Sequence, residues 1–347
     1  MIAQPTPENI RRAVALLRDG QCVGMPTETV YGLAGDALNP AALARIFAIK
    51  NRPFFDPLIV HVAEGFALEH IVKKIPPPAW TLMASFWPGP LTLLFPKREM
   101  VPDLATAGLP TVAVRCPAHP VAQALLRECG GPLAAPSANK FGRLSPTSAA
   151  AVAAELGAEV PLTLDGGPCR VGIESTILAA RDDGIFLLRA GGVALEELEK
   201  IVGKIEVSGG GAVTAPGMLK SHYAPRTPLA RLSAPWPAGA ELPPDTALLA
   251  WRGFAGADRR RARVLAPEGK AAAAAARLFQ DLRELDALGV KQILCEPVPA
   301  RGLGRAINDR LARAAVGVAD CPGVGAFIAG GGESVKAPSR PHCQRRG

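Results

Sequence analysis

Several polar side chains stand where predicted strands end, which is where an α/β sheet exposes ligand-binding groups. Arg115 ends the apolar run TVAVR, and Arg189 ends the run GIFLLR. The full set is Thr27, Thr29, His61, Arg115, Ser137, Asn139 and Arg189, with Lys50 and Arg52 at the end of a predicted helix. Fixed positive charges beside hydroxyl and amide groups suit the recognition of phosphates and carboxylates.

The familiar nucleotide-binding and hydrolytic motifs do not occur in the sequence. A Walker phosphate loop needs a serine or threonine after its Gly-Lys pair, and neither Gly203-Lys204 nor Gly269-Lys270 has one. The Gly-x-Gly-x-x-Gly fingerprint, the His-Glu-x-x-His zinc motif and the Gly-x-Ser-x-Gly elbow are also missing. A nucleotide would therefore have to bind on another scaffold.

Each candidate residue also has a structural interpretation that needs no ligand. Residues 50–52 could be a solvated helix end whose cations favour the helix dipole. His61 could be a packed core histidine, and Ser137 and Asn139 could be the polar groups of a turn. The strand-end threonines could be ordinary strand residues, and the arginines could belong to structural ion pairs. Residue types and spacing alone leave the function open.

Alternating helix and strand patterns predict the elements that position these side chains. Thr6-Pro7 begins a helix whose apolar residues recur at helical spacing up to Gly20, and Asn39-Pro40 begins a second helix that ends at Lys50. Ser145-Pro146 indicates the start of a further helix. The order of strands and helices predicts an α/β fold with a mixed sheet.

The distribution of glycine and proline divides the chain into two predicted domains. Residues 208–228 are rich in Gly, Pro and Ser and have no periodic apolar pattern, which predicts a linker. The linker separates residues 1–207 from a smaller α/β domain at residues 229–317, and residues 318–347 are expected to form a loose tail. The length of 347 residues agrees with two domains.

Composition excludes several classes of protein. Apolar residues make up 48% and charged residues 20% of the chain, as in globular proteins. No apolar stretch approaches the roughly 20 residues that cross a bilayer, and no signal peptide is visible, so we expect a cytoplasmic protein without membrane contact. The 7 cysteines form no Cys-x-x-Cys pair, so neither a zinc site nor a disulfide framework is expected.

The net charge of +8 raises the question of nucleic-acid binding. Residues 1–207 carry 19 basic and 20 acidic side chains, net −1, so residues 208–347, with 20 and 11, hold +9. Part of this excess is the cluster Arg259, Arg260, Arg261 and Arg263. A solvated face and an RNA-binding surface are the two interpretations of the basic second half.

Many motifs in a fixed order carry a resemblance to a known family. They are PTETVYGLAGDA, IKNRPFFDPLIVHV, FWPGPLTLL, TVAVRCPAHP, APSANKFGRLSPT, GIESTIL and LLRAGG. With them the chain resembles the YrdC-like threonylcarbamoyl-AMP synthases. Three further segments resemble the longer, two-domain branch of that family: APGMLKSHYAP, LRELDALGV and GLGRAINDRLARAA. The resemblance spans residues 5–317 and implies a YrdC-like mixed twisted sheet with flanking helices, followed by a smaller Rossmann-like α/β domain.

The resemblance implies an L-threonylcarbamoyladenylate synthase, a nucleotidyltransferase that converts L-threonine, bicarbonate and ATP to threonylcarbamoyl-AMP and pyrophosphate. Mg²⁺ would be held by the ATP phosphates and by no protein side chain. A tRNA threonylcarbamoyl transferase complex would then use the product, and direct contact with tRNA is a further expectation. The alternatives are an RNA-binding module and a carbamoyl-transfer enzyme on the same fold, although the chain lacks the accessory segments of such fusions.

The resemblance also assigns residues, with residues 1–207 as the catalytic domain. The family's Lys-x-Arg matches Lys50 and Arg52, which are the implied catalytic groups. The implied ATP-binding residues are Lys50, Arg52, Asp56, Thr111, Ser137, Asn139, Ser145, Arg189, His222 and Tyr223. The implied threonine-binding residues are Thr27, Thr29, His61, Arg115 and Ser175. The linker at residues 208–228 would close over the site, and a plain interdomain spacer is the alternative.

Overall fold

Strands and helices alternate along the chain, as the sequence predicts. The computed structural model describes residues 1–181, 183–207, 223–256 and 258–319. The helices are α1 Pro7–Arg18, α2 Pro40–Lys50, α3 Pro77–Phe86, α4 Asp103–Thr106, α5 Pro120–Cys129, α6 Ala149–Leu156, α7 Leu195–Val202, α8 Ala271–Asp286 and α9 Gly304–Ala314. The strands are β1 Ile2–Ala3, β2 Val23–Met25, β3 Gly32–Asp36, β4 Ile59–His61, β5 Leu91–Pro96, β6 Thr111–Arg115, β7 Leu133–Ala134, β8 Thr163–Leu164, β9 Thr176–Arg181, β10 Gly184–Arg189, β11 Glu206–Val207, β12 Leu229–Leu232, β13 Thr246–Ala250, β14 Ala262–Val264, β15 Gln292–Cys295 and β16 Gly317–Ala319.

The first part of the chain forms one large mixed sheet, which confirms the predicted fold class. Among the residues that the structure describes, its 11 strands lie in the order β1-β8-β2-β3-β7-β4-β6-β5-β9-β10-β11. The neighbours β4 and β6 run parallel, whereas β5 and β6 run antiparallel. Consecutive strands of the chain are often separated in the sheet, so distant segments of the sequence meet at its edges.

The first two helices begin and end where local patterns predict. The Thr6 hydroxyl accepts a hydrogen bond from the Asn9 amide at 3.3 Å, and the Asn39 side chain accepts one from the Ala41 amide at 2.9 Å. Such caps satisfy amides that have no partner inside the helix. Helix α2 ends at Lys50 because the next residue, Asn51, turns left-handed with φ 51°.

The predicted helix start at Ser145 is wrong. Helix α6 begins at Ala149, and its cap is Ser148, whose hydroxyl accepts a hydrogen bond from the Ala151 amide at 3.2 Å. The Ser145 hydroxyl donates instead to the carboxylate of Glu174 at 2.5 Å. A distant partner has therefore taken the side chain that the local pattern assigned to a cap.

The second part of the chain forms a separate parallel sheet, as expected for a small Rossmann-like domain. In the described part of the chain, its five strands lie in the order β14-β13-β15-β12-β16. Helices α8 and α9 pack on this sheet through Leu278, Phe279 and Ile307. Strand β16 ends at Ala319, two residues beyond the predicted limit of the domain. The remaining predicted tail, residues 320–347, and linker residues 208–222 lie outside the described residues.

The two sheets share a buried apolar boundary. Leu144 and Ile173, which follow strands of the first sheet, belong to the same hydrophobic cluster as Ala275 and Phe279 of α8. Arg283 of α8 also donates a hydrogen bond to the Leu144 carbonyl. Burial of these apolar side chains stabilises the contact between the two domains.

The basic cluster at residues 259–263 is partly neutralised by nearby acids. Arg261 pairs with Asp258 at 2.7 Å, and Arg263 pairs with Glu284 at 2.6 Å. Arg259 and Arg260 are exposed. The cluster therefore combines local ion pairs with a solvated cationic surface.

Three structural features bear on the classes considered from composition. Within the described residues, no helix is both long and apolar enough to cross a membrane. The five described cysteines are free thiols, and Cys321 and Cys343 lie outside the described residues. In the same part of the chain, no three His, Cys, Asp or Glu side chains gather as metal ligands would.

Replacing Gly172 with alanine tests how tightly the domains pack. Gly172 has φ +75°, and an added Cβ would lie 2.4 Å from the Ala275 carbonyl oxygen of α8. Gly167 has nearly the same φ, +76°, but no atom of the described residues lies within 4 Å of a Cβ added there. We expect Gly167→Ala to cost about 1 kcal/mol of backbone strain and Gly172→Ala a further ~1–3 kcal/mol from the clash. Denaturant unfolding of both variants measures the difference, and equal losses would contradict close packing of α8 on this turn.

Candidate active site

One cleft in the first domain gathers residues from many segments of the chain. It encloses about 560 Å³ of empty space, part of it open to solvent. Its lining includes these predicted site residues: Thr27, Thr29, Arg52, His61, Arg115, Ser137, Ser175, Arg189 and Tyr223. Convergent cations and hydroxyls of this kind suit a polar ligand that carries negative charge.

Strand ends bring the lining residues together. Strands β4 and β6 are parallel neighbours, and their last residues, His61 and Arg115, are paired in register. Arg189 ends β10, where its side chain donates to the carbonyl of Ser175 at 3.0 Å and to the Ser175 hydroxyl at 3.2 Å. The Ser175 hydroxyl also bonds to the Thr92 hydroxyl at 2.7 Å. Strand ends therefore bring His61, Arg115 and Arg189 to the lining of one cleft.

Arg115 is held by a carboxylate that the sequence reasoning did not select. Its Nη2 donates to Oε1 of Glu28 at 2.6 Å, and its Nη1 donates to the Thr29 hydroxyl at 2.8 Å. Its Nε donates to the carbonyl of Gly89 at 3.2 Å. The Arg115 and Glu28 side chains are 4% and 3% exposed, so this is a buried ion pair with a fixed orientation.

Arg52 reaches the cleft from a short turn after α2. Its Nη2 lies 2.9 Å from the Asp56 carboxylate and donates to the Pro57 carbonyl at 2.7 Å. Asp56 is fully buried and lies behind Arg52 rather than in the cleft lining. The predicted Asp56 therefore reaches the cleft through Arg52, which it holds in place.

Lys50 and Asn139 lie one layer beneath the cleft. Lys50 is 1% exposed, and its ammonium donates to the carbonyls of Ser137 and Asn139, the latter at 2.6 Å. The Asn139 amide donates to the carbonyls of Lys140 and Arg143 at 2.7 and 3.0 Å. Burial, and then the charge of Arg52, lower the pKa of Lys50 well below its usual value. These bonds shape the loop that presents Ser137 to the cleft.

Glu174 lines the cleft as well, although the sequence reasoning did not select it. Its Oε1 accepts from the predicted Ser145, and its Oε2 accepts from Arg310 of α9 at 3.0 Å. Burial raises the pKa of Glu174, but Arg310, Arg189 and the Ser145 hydroxyl outweigh it, so the net pKa lies below its usual value. Ser145 therefore reaches the cleft through the carboxylate that it supports.

The three unselected residues occur in motifs that were recognised: Glu28 in PTETVYG, Glu174 in GIESTIL and Arg310 in GLGRAINDRLARAA. Reasoning from an anionic ligand favours cations and hydroxyls, and spacing does not reveal which carboxylate holds which cation.

Two predicted residues stand apart from the others. Thr111 begins β6, four residues from Arg115, and a strand of that length separates them by roughly 13 Å. It pairs with Pro96 and lies outside the cleft lining. His222 lies outside the described residues. Their contacts with ATP stay predictions.

Tyr223 is the first described residue of the linker, and it is 2% exposed. Its ring packs 5.8 Å from that of Phe279 in α8, and the guanidinium carbon of Arg310 lies 5.4 Å from the ring centre. The next residue, Ala224, donates its amide to the Gly142 carbonyl at 2.8 Å. The end of the linker is thus seated at the cleft, between the first domain and residues of the second.

His61 is electrically neutral at physiological pH. Burial, and then the neighbouring charge of Arg115, lower the pKa of His61 to about 3. Its Nδ1 lies 3.2 Å from the Ile59 carbonyl oxygen. A neutral ring adds a hydrogen-bonding group to the cleft without adding charge.

Replacing His61 with glutamine should flatten the acid side of the stability profile. Between an ordinary unfolded pKa of about 6.5 and a folded pKa of about 3, the unfolded chain binds a proton that the folded chain does not. The free energy of unfolding therefore decreases as the pH is lowered through this window. His61 alone contributes up to about 1.4 kcal/mol per pH unit to this decrease. Denaturant unfolding at several pH values measures this slope in both proteins. Parallel profiles would show that His61 titrates normally.

Family models cover nearly all of the described chain. Residues 15–191 match the Sua5, YciO and YrdC model described as "Telomere recombination", and residues 193–316 match the model described as "Threonylcarbamoyl-AMP synthase, C-terminal domain". The first model spans the residues that line the cleft up to Arg189, and the second spans Tyr223 and Arg310.

Individual relatives agree over both domains. The threonylcarbamoyl-AMP synthase of Bacillus subtilis is 41% identical over 331 residues, which cover 89% of this chain and 93% of that protein. The one from Pyrococcus abyssi is 41% identical over 318 residues, covering 88% and 93%. The crystal structure of P. abyssi Sua5 complexed with L-threonine matches with a TM-score of 0.82 and 37% identity, covering 92% of this chain and 98% of that one. On the strength of both domains, the chain belongs to the threonylcarbamoyl-AMP synthase family, in its two-domain form.

Proposed function

We propose that the protein is an L-threonylcarbamoyladenylate synthase, which forms threonylcarbamoyl-AMP and pyrophosphate from L-threonine, bicarbonate and ATP. The observation that carries the proposal is the convergence of the residues in one cleft. His61 and Arg115 end two strands, Ser175 directly precedes β9, and Arg52 and Ser137 come from two loops, yet all line the same space. Membership of the synthase family supports the same reaction.

The threonine is proposed to bind near Thr27, Thr29, His61, Arg115 and Ser175. Arg115 is fixed from both sides by Glu28 and the Gly89 carbonyl, so its charge is already oriented when a carboxylate arrives. The neutral ring of His61 and the hydroxyl of Ser175 offer hydrogen bonds to uncharged groups of the amino acid. This end of the cleft would distinguish an amino acid from a plain anion.

The nucleotide is proposed to bind along Arg52, Ser137, Arg189 and Tyr223, with Lys50 and its partners supporting that surface. The carbamate oxygen would attack the α-phosphorus and pyrophosphate would leave, so negative charge builds on the phosphate oxygens. Buried and preoriented cations stabilise such charge more effectively than water does. No covalent intermediate with the protein is needed.

Magnesium is proposed to enter the site on the phosphates of ATP. Three carboxylates next to the cleft are already engaged by arginines: Glu28, Asp56 and Glu174. That arrangement fits a metal whose ligands are substrate phosphates and water, as Mg²⁺ prefers. When bound, Mg²⁺ would offset phosphate charge.

Exclusion of water is a further requirement, because a free carbamate readily loses carbon dioxide. We propose that the linker, residues 208–228, covers the cleft and that His222 and Tyr223 contact the nucleotide. The buried position of Tyr223 in the cleft lining supports this assignment. The product is proposed to pass to a tRNA threonylcarbamoyl transferase complex.

Threonine-dependent release of pyrophosphate tests the reaction. The protein is incubated with ATP, bicarbonate and L-threonine, and pyrophosphate and threonylcarbamoyl-AMP are measured. Omission of either threonine or bicarbonate should abolish both products. Pyrophosphate release that ignores threonine, or none at all, would contradict the proposal. Carbamoyl phosphate in place of ATP and bicarbonate should give no product, which separates a synthase from a carbamoyl-transfer enzyme.

Salt dependence tests the alternative of an RNA-binding module, which rests on the basic surface of the second domain. Phosphate contacts make affinity fall steeply with ionic strength. Binding of tRNA that is tight at physiological salt and falls steeply as salt is raised would favour that alternative.

Replacing Lys50 with methionine should reduce kcat/KM for ATP by about 100-fold or more, or roughly 3 kcal/mol of transition-state stabilisation. The substitution removes the donor that shapes the loop from Ser137 to Asn139. Lys140→Met is the matched control, since the Lys140 ammonium also donates to a backbone carbonyl, that of Ile49 at 2.7 Å, but not to the Ser137 loop. Steady-state kinetics with folded proteins decide the matter. Equal activity of the two variants would remove Lys50 from the site.

A further inference from the structure

Arg310 belongs to the second domain, but its side chain lies inside the first. It is 1% exposed. Its Nε donates to Oε2 of Glu174 at 3.0 Å, and its Nη1 donates to the Ala190 carbonyl at 2.6 Å. These acceptors directly precede Ser175 and follow Arg189, two residues of the cleft lining. One guanidinium therefore joins the two segments that carry them.

Glu174 presents a difficulty for a site that binds anions. It is a buried carboxylate in the lining of a cleft where phosphates and a carboxylate are proposed to lie. An uncompensated negative charge in such a place would repel ATP, because electrostatic interactions are strong where water is excluded. Arg310 supplies the compensating charge directly, and the Ser145 hydroxyl supplies a hydrogen bond.

The same guanidinium supports Tyr223. Its carbon lies 5.4 Å from the centre of the Tyr223 ring, within the range of cation–π contact. Tyr223 adopts a left-handed backbone conformation with φ 68°, which is unfavourable for a tyrosine and persists only where the surroundings hold it. Phe279 packs beside the ring, so two residues of the second domain seat this part of the cleft wall.

We propose that Arg310 is a positioning residue through which the second domain completes the nucleotide site, mainly by neutralising Glu174 and to a smaller extent by seating Tyr223. The inference rests on the proposed ATP-dependent function and goes beyond it, because it assigns the second domain a role in nucleotide affinity. Loss of the Arg310 charge should weaken the binding of ATP more than the binding of threonine, since ATP carries the larger negative charge.

The test compares Arg310→Met, Glu174→Gln and the double variant. Binding of a non-hydrolysable ATP analogue with Mg²⁺ is measured by calorimetry, and KM values for ATP and threonine are measured where there is turnover. Arg310→Met should weaken the analogue about tenfold or more, since it leaves a buried carboxylate facing the phosphates. Adding Glu174→Gln should restore binding to within about threefold of Glu174→Gln alone, because the unpaired charge is gone.

Arg305→Met is the matched control. Arg305 is on the same helix and pairs across the domains with Glu196 at 3.5 Å, but both side chains are more than 40% exposed and neither lines the cleft. Its analogue affinity should stay within about twofold of the wild type, as expected for an exposed pair. A merely structural anchor at Arg310 would lower the thermal midpoint without rescue of binding by Glu174→Gln, and that result would overturn the proposal.

The outcomes remain separable if Arg310→Met does not fold. The double variant replaces both charges, and its affinity compared with that of Glu174→Gln still decides, because binding about tenfold weaker would overturn the inference. A wild-type chain that binds no nucleotide would contradict the proposed function itself. A wild-type chain that binds the analogue, with Arg310→Met binding equally well, would contradict only the role of Arg310.

Discussion

Buried charge is the constraint on which the cleft depends. A charged group removed from water destabilises the fold by several kcal/mol unless the protein supplies a partner. Arg115 forms an ion pair with Glu28, and Arg52 forms one with Asp56. The Lys50 ammonium donates hydrogen bonds to two backbone carbonyls. The Arg115 and Lys50 contacts cross between distant segments of the chain. The bonds that satisfy the charges are therefore also the bonds that fix the site, and its geometry is inseparable from the stability of the domain.

Pairing also sets what the cleft can bind. Each arginine brings a positive charge that is already oriented, and a preoriented charge needs little reorganisation when negative charge develops on a ligand. The carboxylates behind Arg52 and Arg115 offset part of the positive charge of the site. His61 stays neutral because burial and Arg115 depress its pKa. A fixed field in which cations outnumber carboxylates suits the binding of a negatively charged ligand.

The second domain takes part in this arrangement. Helix α8 approaches the first domain so closely that Gly172 leaves no room for a Cβ, and its Phe279 packs beside Tyr223. Helix α9 sends Arg310 to Glu174. Because Phe279 and Arg310 contact residues that line the cleft, the shape of the cleft depends on the interface between the domains. This gives a physical reason for the two domains to occur in one chain, with the linker ending at the cleft.

Helices and strands that form through contacts between neighbouring residues could be predicted from the amino-acid sequence. Helices α1 and α2 begin directly after Thr6 and Asn39, because each of these side chains caps amides two or three residues away. The strand ends at Arg115 and Arg189 follow from local apolar runs in the same way. The cation and hydroxyl candidates of the cleft were therefore within reach of sequence reasoning and of the family resemblance.

Which distant side chains come into contact depends on the tertiary structure. Glu28 and Arg115 are 87 residues apart, and Glu174 and Arg310 are 136 apart. The local pattern predicts that Ser145 caps a helix, whereas in the folded protein its hydroxyl donates a hydrogen bond to Glu174. Local patterns depend on bonds between neighbours in the chain, whereas the partner of a buried charge is chosen by the packing of the whole molecule.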